Sequence, residues 1–430
     1  MASVPLNLLD ELYLNLDREA EPWTVHYELQ FAGRLDPERL AKAIATAADR
    51  HPLARARLAT WRFRDRGYDW EIADELGEVP LDVIRCANPA AIARERERLF
   101  STSPSLATEP PFLMALLRGA EGDSLLLNLH HAAGDGISAA RLMLSIMRAY
   151  AGESDPTPPL DPLAVHDVRA LAAARSATER DARRRALLAG TGRPLWRVTR
   201  VARVGDDHRP GYGFEVRTLS AQESQKVFAR QPSGGTVNDV LLAALGLAIV
   251  RWNVEHGRPS GWVALSMPVN LRPAEWRNEI VSNFAAWVTV WVKPEADEDL
   301  SSIVARVAAS TRAIKRDRLG GLPVDLLRVP GELMIASKRW LQYLKTFASE
   351  AIVDTASLSN LGKVERLPAR FDPSDVAVWF SPPSQMPLGI GIGVVTVDDR
   401  LHVTVRYRHT QFDRAAARRF TELYRGVLLD

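Results

Sequence analysis

Two adjacent histidines, with an aspartate four residues after the second, are the residues of this chain best suited to chemistry. His130 and His131 follow an apolar run at 125–129, and Asp135 lies between two glycines in the stretch LLLNLHHAAGDGIS. An imidazole has an ordinary pKa of about 6.5, so its neutral form can take up a proton at cellular pH. Adjacent strand residues point to opposite faces, so one ring is expected to face a cleft and the other to pack. A histidine pair at a strand end can also be only a hydrogen-bonding element, and Asp-Gly is a common turn.

Three local elements are expected to hold this stretch. The nearly continuous apolar run at 125–129 predicts a strand buried on both faces. A second run at 113–117 is expected to pair with it as a hairpin, through a turn at 120–123. Gly134 and Gly136 allow a sharp turn after the histidines. Apolar residues then recur at helical spacing, at Ile137, Ala140, Leu144 and Met147.

Other segments show strand or helix patterns that would complete two layers. Strands are predicted at 25–31, 213–218, 262–267, 284–292 and 401–407. Helices are predicted at 37–50, from about residue 236, and at the C-terminus. Thr236 and Asp239 are spaced as an N-terminal helix cap, and this interpretation of Asn238 and Asp239 is at least as well supported as a catalytic one.

The composition is that of an ordinary globular chain. Its 430 residues are 46% hydrophobic and 25% charged, enough for two cores of about 200 residues each. The formal net charge of +2 argues against bulk electrostatic binding of nucleic acid. The single cysteine, Cys86, excludes a disulfide framework. No signal peptide is apparent, and the apolar run at 240–250 is shorter than a bilayer span, so a cytoplasmic protein without an integral membrane segment is predicted.

The segment after residue 151 changes character and predicts a division of the chain. Glycine and prolines between 152 and 162 indicate a linker, and an arginine-rich stretch follows at 169–203. We therefore expect an N-terminal subdomain at 1–155, a linker with an arginine-rich helix at 156–210, and a C-terminal subdomain at 211–430. The arginines at 180 and 183–185 could contact a cofactor phosphate or an acidic carrier protein, or form a solvated helix face.

The residues from His130 to Gly136 resemble the HHxxxDG signature of the CoA-dependent acyltransferase superfamily. This superfamily includes chloramphenicol acetyltransferase, the condensation domains of nonribosomal peptide synthetases, and bacterial wax ester synthase/diacylglycerol acyltransferases. The resemblance to the wax ester synthase branch continues, in the family's order, in TVNDV at 236–240, PVNLRP at 268–273 and SNLG at 359–362. PVNLR is also shared with free-standing condensation enzymes. In the SNLG segment, the wax ester synthase pattern usually has a proline before the glycine, and this chain has a leucine there. The resemblance therefore defines the reaction type better than the branch.

The resemblance implies an α/β fold. Two chloramphenicol acetyltransferase-like subdomains would form a pseudo-dimer around a central tunnel, with His131 midway. By position in the family, His131 is the general base and His130 its packing partner. Asp135 is then expected to pair with Arg272 and to fix geometry rather than act as a base. The oxyanion of the tetrahedral intermediate would be met by amides near Gly136 or by the side chains of Ser359 and Asn360. In the family, Asn238 and Asp239 support the architecture of the site.

The implied activity is acyl transfer to a hydroxyl or amine, with an ester or amide product. The donor would be acyl-CoA or a phosphopantetheinyl carrier-protein thioester as co-substrate, with no bound cofactor. We expect O-acyl transfer ahead of N-acyl transfer, in lipid or natural product biosynthesis. The alternative is a non-catalytic member of the same fold that binds a carrier protein or ligand. A metal site is disfavoured, because the two histidines face opposite ways and no third ligand stands at useful spacing. A pseudo-dimer fold is compatible with a monomer.

Overall fold

The structure is a computed structural model. It describes residues 2–156, 161, 163–164, 166–191, 198–205, 207, 209–258, 261–276, 280–340, 354–372, 375–383 and 390–430. Three prolines of the predicted linker, Pro158, Pro159 and Pro162, lie outside the described residues. The strands, numbered along the chain, are β1 (Ala2–Pro5), β2 (Thr24–Phe31), β3 (Ala56–Leu58), β4 (Asp69–Ile72), β5 (Leu81–Arg85), β6 (Phe112–Arg118), β7 (Asp123–His130), β8 (Tyr212–Thr218), β9 (Val263–Asn270), β10 (Ala285–Val292), β11 (Ala356–Lys363), β12 (Val376–Ser381), β13 (Ile390–Val397) and β14 (Arg400–Arg408).

The helices that matter for the site precede or cover these strands. They are α1 (Leu8–Leu16), α2 (Pro37–Arg50), α3 (Pro89–Phe100), α4 (Gly136–Ala151), α5 (Val168–Ala172), α6 (Ala177–Thr191), α7 (Ala221–Ala229), α8 (Val237–Glu255), α9 (Leu300–Arg316), α10 (Leu322–Gly331) and α11 (Arg414–Leu429). The predicted helix at 37–50 has the predicted bounds, with Pro37 as its first residue and Asp36 as its cap.

The N-terminal sheet carries the histidine pair. Its strand order is β12-β2-β7-β6-β5, and β7 is buried along its whole length between β2 and β6. β6 and β7 form the predicted hairpin. The helices α2 and α4 bury Leu40, Ile44, Leu142 and Met143 in the same core as the apolar side chains of these strands. The predicted strand, turn and helix around the histidines are therefore confirmed.

The C-terminal sheet is built in the same mixed manner. Its order is β10-β9-β11-β13-β14-β8, with β11 parallel to both β9 and β13 and the other neighbours antiparallel. The helices α8, α9 and α11 share one core with it, through side chains such as Leu241, Ile303 and Phe420. The predicted strands at 213–218, 262–267, 284–292 and 401–407 all lie in this sheet. Mixed sheets covered by helices confirm the predicted α/β class.

One strand crosses between the two sheets. β12 follows β11 of the C-terminal sheet along the chain, but it pairs antiparallel with β2 over its whole length. Conversely, Val198 and Val204 of the predicted linker form bridges to Trp262 and Phe412, which belong to the C-terminal half. The predicted division at 155/156 and 210/211 therefore follows the two sheets only in part. The exchange of β12 joins the halves of the molecule.

The helix α8 contains the apolar run at 240–250. Within the described residues it is the helix that is long and apolar enough to cross a membrane, with 19 residues and a mean hydropathy of 1.4. The helix begins where the sequence predicted it, after Thr236. However, 78% of its apolar window is buried, in the core that α8 shares with α9 and α11. The core helix of a soluble protein shows the same combination, so the length of α8 is weak support for a membrane span.

Replacing Gly393 by alanine is expected to destabilise the fold by about 1–3 kcal/mol. Gly393 of β13 faces β12, and an added Cβ would overlap the carbonyl oxygen of Phe380. Because this contact is with backbone, side-chain rotation cannot relieve it. Gly426→Ala is the matched control, since nothing lies within 4 Å of a Cβ there and alanine is favoured inside a helix by about 1 kcal/mol. Urea unfolding should give a lower midpoint for Gly393→Ala and an equal or higher one for Gly426→Ala; equal midpoints for Gly393→Ala and the wild type would contradict the close approach.

Candidate active site

The two histidines at the end of β7 have different surroundings, as predicted. His130 is 1% exposed, and its Nδ1 accepts a hydrogen bond from the Ala132 amide at 3.1 Å. Its Nε2 lies 3.5 Å from the carboxylate of Asp17. His131 donates its backbone amide to the Trp23 carbonyl at 2.8 Å, and its side chain lines a cavity. His130 is therefore the packed ring, and His131 is the ring that faces the cavity.

An aromatic stack covers His131, and the sequence analysis did not identify it. The Tyr13 ring of α1 lies on the imidazole with ring centroids 4.0 Å apart and an interplanar angle of 23°. Trp23 stacks on Tyr13 at 5.3 Å. The Tyr13 hydroxyl donates to the carbonyl of Ala285 in β10 at 2.9 Å. The stack thus joins α1, the end of β7 and the C-terminal sheet around the imidazole.

The His131 imidazole is neutral at cellular pH. Burial lowers its pKa to about 4, because desolvation disfavours the charged imidazolium, and the nearby Asp135 offsets only part of this. Within the described part of the chain, its Nδ1 has no hydrogen-bond partner. A neutral ring facing a cavity has a lone pair that can accept a proton or a hydrogen bond.

Asp135 is charged, buried and engaged on both oxygens. Arg272 reaches it with Nη1 at 2.5 Å and Nη2 at 3.0 Å, which is the predicted pair. The amides of Ser138 and Phe284 each donate to it at 3.0 Å. Burial alone would raise the pKa of Asp135, but the Arg272 guanidinium and these amides outweigh burial and lower it. Asp135 therefore caps α4 and connects it to the loop before β10.

A second buried pair lies beside this one and was missed from the sequence. His166 Nε2 is 2.6 Å from Asp10 Oδ2, and His166 Nδ1 is 2.7 Å from the Ser282 hydroxyl. The Ser282 carbonyl in turn accepts a hydrogen bond from Arg272 at 2.6 Å. Burial by itself would lower the pKa of His166, but the Asp10 carboxylate outweighs burial and raises it. All three side chains are buried away from the cavity walls, so this serine, histidine and aspartate position the neighbouring pair rather than meet a substrate.

The cavity that His131 faces has a volume of about 400 Å³ and lies between the two halves of the molecule. One wall comes from α1 and the turn between β7 and α4, and the other from β9, β10 and β11. A Cβ on Gly136 would lie 2.7 Å from Leu361 and 2.8 Å from Phe380, so glycine is required for this packing. The predicted site residues that line the cavity are His131, Asp135, Gly136, Ser359 and Asn360.

Asn238 and Asp239 are outside the cavity walls, at the start of α8. Asp239 accepts hydrogen bonds from the amide and hydroxyl of Thr236 at 2.6 and 3.0 Å, and from the Thr311 hydroxyl at 2.6 Å. The Asn238 side-chain nitrogen lies 2.9 Å from the sulfur of Met267. The contacts of Asp239 agree with the capping interpretation, whereas Asn238 contacts Met267, and neither residue lines the cavity.

The arginine-rich segment does not behave as a uniform solvated face. Arg183 is buried and pairs with Asp325 at 2.7 Å and Glu179 at 2.8 Å. Arg180, Arg184 and Arg185 are exposed. Arg183 is thus committed to internal contacts, and a cofactor phosphate or an acidic carrier could meet only its exposed neighbours.

Comparison with known families adds the reaction class to this geometry. The sequence model of the condensation domain matches residues 12–328, most of the chain. The chain belongs to the condensation domain family. Condensation domains are transferases that join an acyl or peptidyl group, presented as a carrier-protein thioester, to an acceptor through an amide or ester bond. The predicted superfamily and reaction class are therefore confirmed at this level.

Two relatives illustrate the range of the family. An uncharacterized protein of Mycobacterium tuberculosis is 35% identical to this condensation domain over 430 residues, which are 99% of this chain and 98% of that protein. Surfactin synthase subunit 1 of Bacillus subtilis is 25% identical over 247 residues, which are 54% of this chain and 7% of that protein. The similarity therefore extends both to a protein of the same length and to a segment of a much larger synthetase.

Solved condensation-type domains share the fold over the whole chain. The first condensation domain of the CDA synthetase superposes with a TM-score of 0.74 at 15% identity, covering 100% of this chain and 97% of that one. The epimerization domain from the third module of tyrocidine synthetase B has a TM-score of 0.66 at 17% identity, with the same coverage. The predicted arrangement of two chloramphenicol acetyltransferase-like subdomains as a pseudo-dimer is therefore confirmed.

Proposed function

We propose that this condensation domain transfers an acyl group from a thioester to a hydroxyl or amine, with His131 as the general base. The observation that carries the proposal is the position of His131, a neutral imidazole in the wall of a cavity between the two subdomains. As the acceptor attacks the thioester carbonyl, His131 removes its proton and then supplies it to the departing thiolate. The sulfur leaves as a free thiol, so protons and charge balance without a bound cofactor or metal.

Asp135 has a supporting role in this proposal. Its two oxygens are occupied by Arg272 and by backbone amides, and its lowered pKa leaves it a very weak base. Its role is to fix the turn between His131 and α4. The end of β7 holds one end of this turn, and the contacts of Asp135 with Arg272 and Ser138 hold the other. General base catalysis depends on this kind of positioning, since the base must be within hydrogen-bond reach of the proton that it takes.

The oxyanion that forms on the attacked carbonyl requires hydrogen-bond donors, and we assign this role to the Gly136 amide, Ser359 and Asn360. Ser359 and Asn360 line the cavity from β11, on the opposite wall from Gly136. The side-chain oxygen of Asn360 accepts the Gly362 amide at 2.9 Å, so the group that this side chain can use as a hydrogen-bond donor is its amide nitrogen. Donors fixed in advance stabilise a developing charge more than reorienting water does.

The finer features of the proposal concern donor, acceptor and setting. We propose CoA or a phosphopantetheinyl carrier protein as the donor and a hydroxyl ahead of an amine as the acceptor. Support for the hydroxyl is the neutral base, because a hydroxyl is a weak nucleophile that becomes reactive as its proton is removed, whereas a neutral amine is already a good nucleophile before it loses a proton. The proposed setting is the cytoplasm, in lipid or natural product biosynthesis.

Thiol release tests the proposal directly. Acyl-CoA esters from short to long chain, and the same acyl groups on a carrier protein, would be mixed with alcohol and amine acceptors, and free thiol would be measured with and without acceptor. Acceptor-dependent release together with an ester or amide product supports the proposal. If no combination releases thiol although a carrier protein or ligand binds, the alternative of a non-catalytic binding protein replaces it.

The pH dependence of kcat/KM is expected to show the lowered pKa of the buried His131 imidazole. A general base must be unprotonated, and burial lowers the pKa of His131 to about 4. With a simple alcohol as acceptor, which has no charged end, kcat/KM should therefore stay level as the pH falls through about 6.5, where an ordinary histidine would be protonated, and should fall about tenfold per pH unit only below about 4. The same shift makes the fold less stable as the pH falls from about 6.5 to about 4, because in this range the histidine binds a proton in the unfolded chain but not in the folded one. The folded fraction must therefore be measured by circular dichroism at each pH; a loss of activity centred near pH 6.5 in folded protein would contradict the assignment.

A further inference from the structure

The wall of the cavity formed by the C-terminal sheet carries a row of three hydroxyl groups. Thr289 of β10 pairs with Ser266 of β9, and Ser266 pairs with Ser357 of β11. Residues paired across neighbouring strands point to the same face of a sheet, so the three side chains form one line. All three line the cavity. The neighbouring positions Leu265, Val290 and Leu358 are 0% exposed and belong to the core on the other face.

Asp354 lies at the end of this row. Its carboxylate accepts the Thr289 hydroxyl at 3.1 and 3.0 Å on its two oxygens, and Asp354 lines the same cavity. Arg200 donates to the backbone carbonyl of Asp354 at 2.9 Å, and its positive charge favours the ionised form of the carboxylate. The Ser357 hydroxyl is buried and, among the described residues, has no hydrogen-bond partner. Among the described residues, the Ser357 hydroxyl therefore offers unused hydrogen-bonding capacity, beside a carboxylate that the hydroxyls of Thr289 and Ser266 contact.

This polar group is at the opposite end of the cavity from His131. The imidazole is at the level of the Ala285 and Asn270 pair, because Tyr13 both stacks on it and bonds to Ala285. Thr289 is four residues further along β10, roughly 13 Å at about 3.3 Å per residue. Between the two levels Trp287 faces Pro268 and forms an apolar strip, with Ser359 of β11 beside it.

We propose that Asp354, with the hydroxyls of Thr289, Ser266 and Ser357, binds an ammonium group at the far end of the acceptor substrate. The acceptor is then bipolar, with its reacting hydroxyl or amine at His131, an apolar spacer along Trp287, and a cationic end at Asp354. This inference rests on the proposed function, since it assigns the substrate class of the same cavity. A carboxylate with hydroxyls beside it suits an ammonium, which offers several donors and a charge.

The electrostatics of Asp354 support this assignment. Burial raises its pKa to about 6, although Thr289, Arg200 and Ser266 act in the opposite direction. The carboxylate is thus mostly ionised at cellular pH, but the neighbouring groups offset only part of the cost of burying its charge. A bound cation would stabilise the charged form, whereas an apolar chain end would increase the cost of burying it.

Direct binding tests the inference without requiring turnover. Medium-chain compounds of equal length, an amino alcohol, a diol and a simple alcohol, would be titrated calorimetrically into the full-length protein and into Asp354→Asn. The wild type should bind the amino alcohol about tenfold or more tightly than the simple alcohol, and Asp354→Asn should remove most of that difference. Asp297→Asn, which removes the same charge from an exposed turn, is the control and should bind as the wild type does.

Each other outcome overturns the inference. Equal affinities for amino alcohol and diol would mean that the far end takes a neutral donor. Equal weakening of all three ligands in Asp354→Asn would show that Asp354 only supports the fold. Absence of binding to the wild type would leave no acceptor site of this kind. Because no thioester is present, a protein that fails in thiol release can still show this selectivity, so the two proposals can fail separately.

Discussion

Replacing His131 by alanine is expected to lower the rate of acceptor-dependent thiol release by about 10²- to 10⁴-fold. The packed neighbour, His130, cannot take over the proton, because its Nδ1 accepts the Ala132 amide and its Nε2 faces Asp17. Asp135 cannot take it over either, since Arg272 holds it in its charged form. The variant should still bind the thioester, because the change removes the base but only one of the many side chains that line the cavity. The loss should therefore appear in kcat, with KM nearly unchanged.

Controls separate chemistry from folding in this experiment. His256→Ala removes a half-buried histidine at the end of α8, remote from the cavity, and should retain wild-type activity. His131→Gln keeps a side chain of similar size under Tyr13 and should be as inactive as the alanine variant while melting close to the wild type. Retention of more than about a tenth of the wild-type kcat by both His131 variants would assign the proton transfer to another group.

Those features of the site that depend on local sequence were predictable. The apolar run, the two glycines and the helical spacing after them identify a strand, a turn and a helix, and alternation along the strand end separates the roles of His130 and His131. The pairing of Asp135 with Arg272 came from family resemblance, because 137 residues separate the two along the chain. Hydrophobic periodicity contains no information about such a contact.

The covering residues of the site were not predicted, and the reasons differ. A local signal for α1 exists, since Asn7 and Asp10 form a capping box at its start. Nothing local indicates that Tyr13 stacks on His131, because this depends on how α1 packs against β10. Asp354 is a single acid just before β11, and only the register of β9, β10 and β11 shows its relation to Thr289.

The exchange of β12 was missed for a related reason. Its apolar residues indicate a strand, but they do not indicate a partner about 350 residues earlier. The strand crosses at the point where Gly393 lets two backbones approach, close to the Phe380 side chain that packs against Gly136. The crossing therefore lies beside the site, and together with the Asp135 and Arg272 pair it fixes the two halves of the cavity relative to each other.

Breaking the Asp135 and Arg272 pair is expected to have the largest effect on stability. Asp135→Ala should lower the free energy of unfolding by about 3–5 kcal/mol, because the Arg272 guanidinium remains buried without its counter-charge. The double variant Asp135→Ala/Arg272→Met no longer has a buried, unpaired guanidinium, so part of the stability should return. A double-mutant cycle of urea unfolding should then give a coupling energy of about 1–3 kcal/mol.

The exposed pair of Lys363 and Asp399, with side chains 68% and 65% exposed, provides the comparison for that cycle. Lys363→Met should change stability by less than about 1 kcal/mol, since solvent screens such a pair. If Asp135→Ala lowers the free energy of unfolding by no more than about 1 kcal/mol, the buried pair does not hold the two halves of the molecule together. If the double variant regains stability but not activity, the pair is needed for the geometry at His131 as well as for the fold. We expect this second result, because methionine can fill the space of Arg272 but cannot hold the carbonyl of Ser282 or the turn that follows His131.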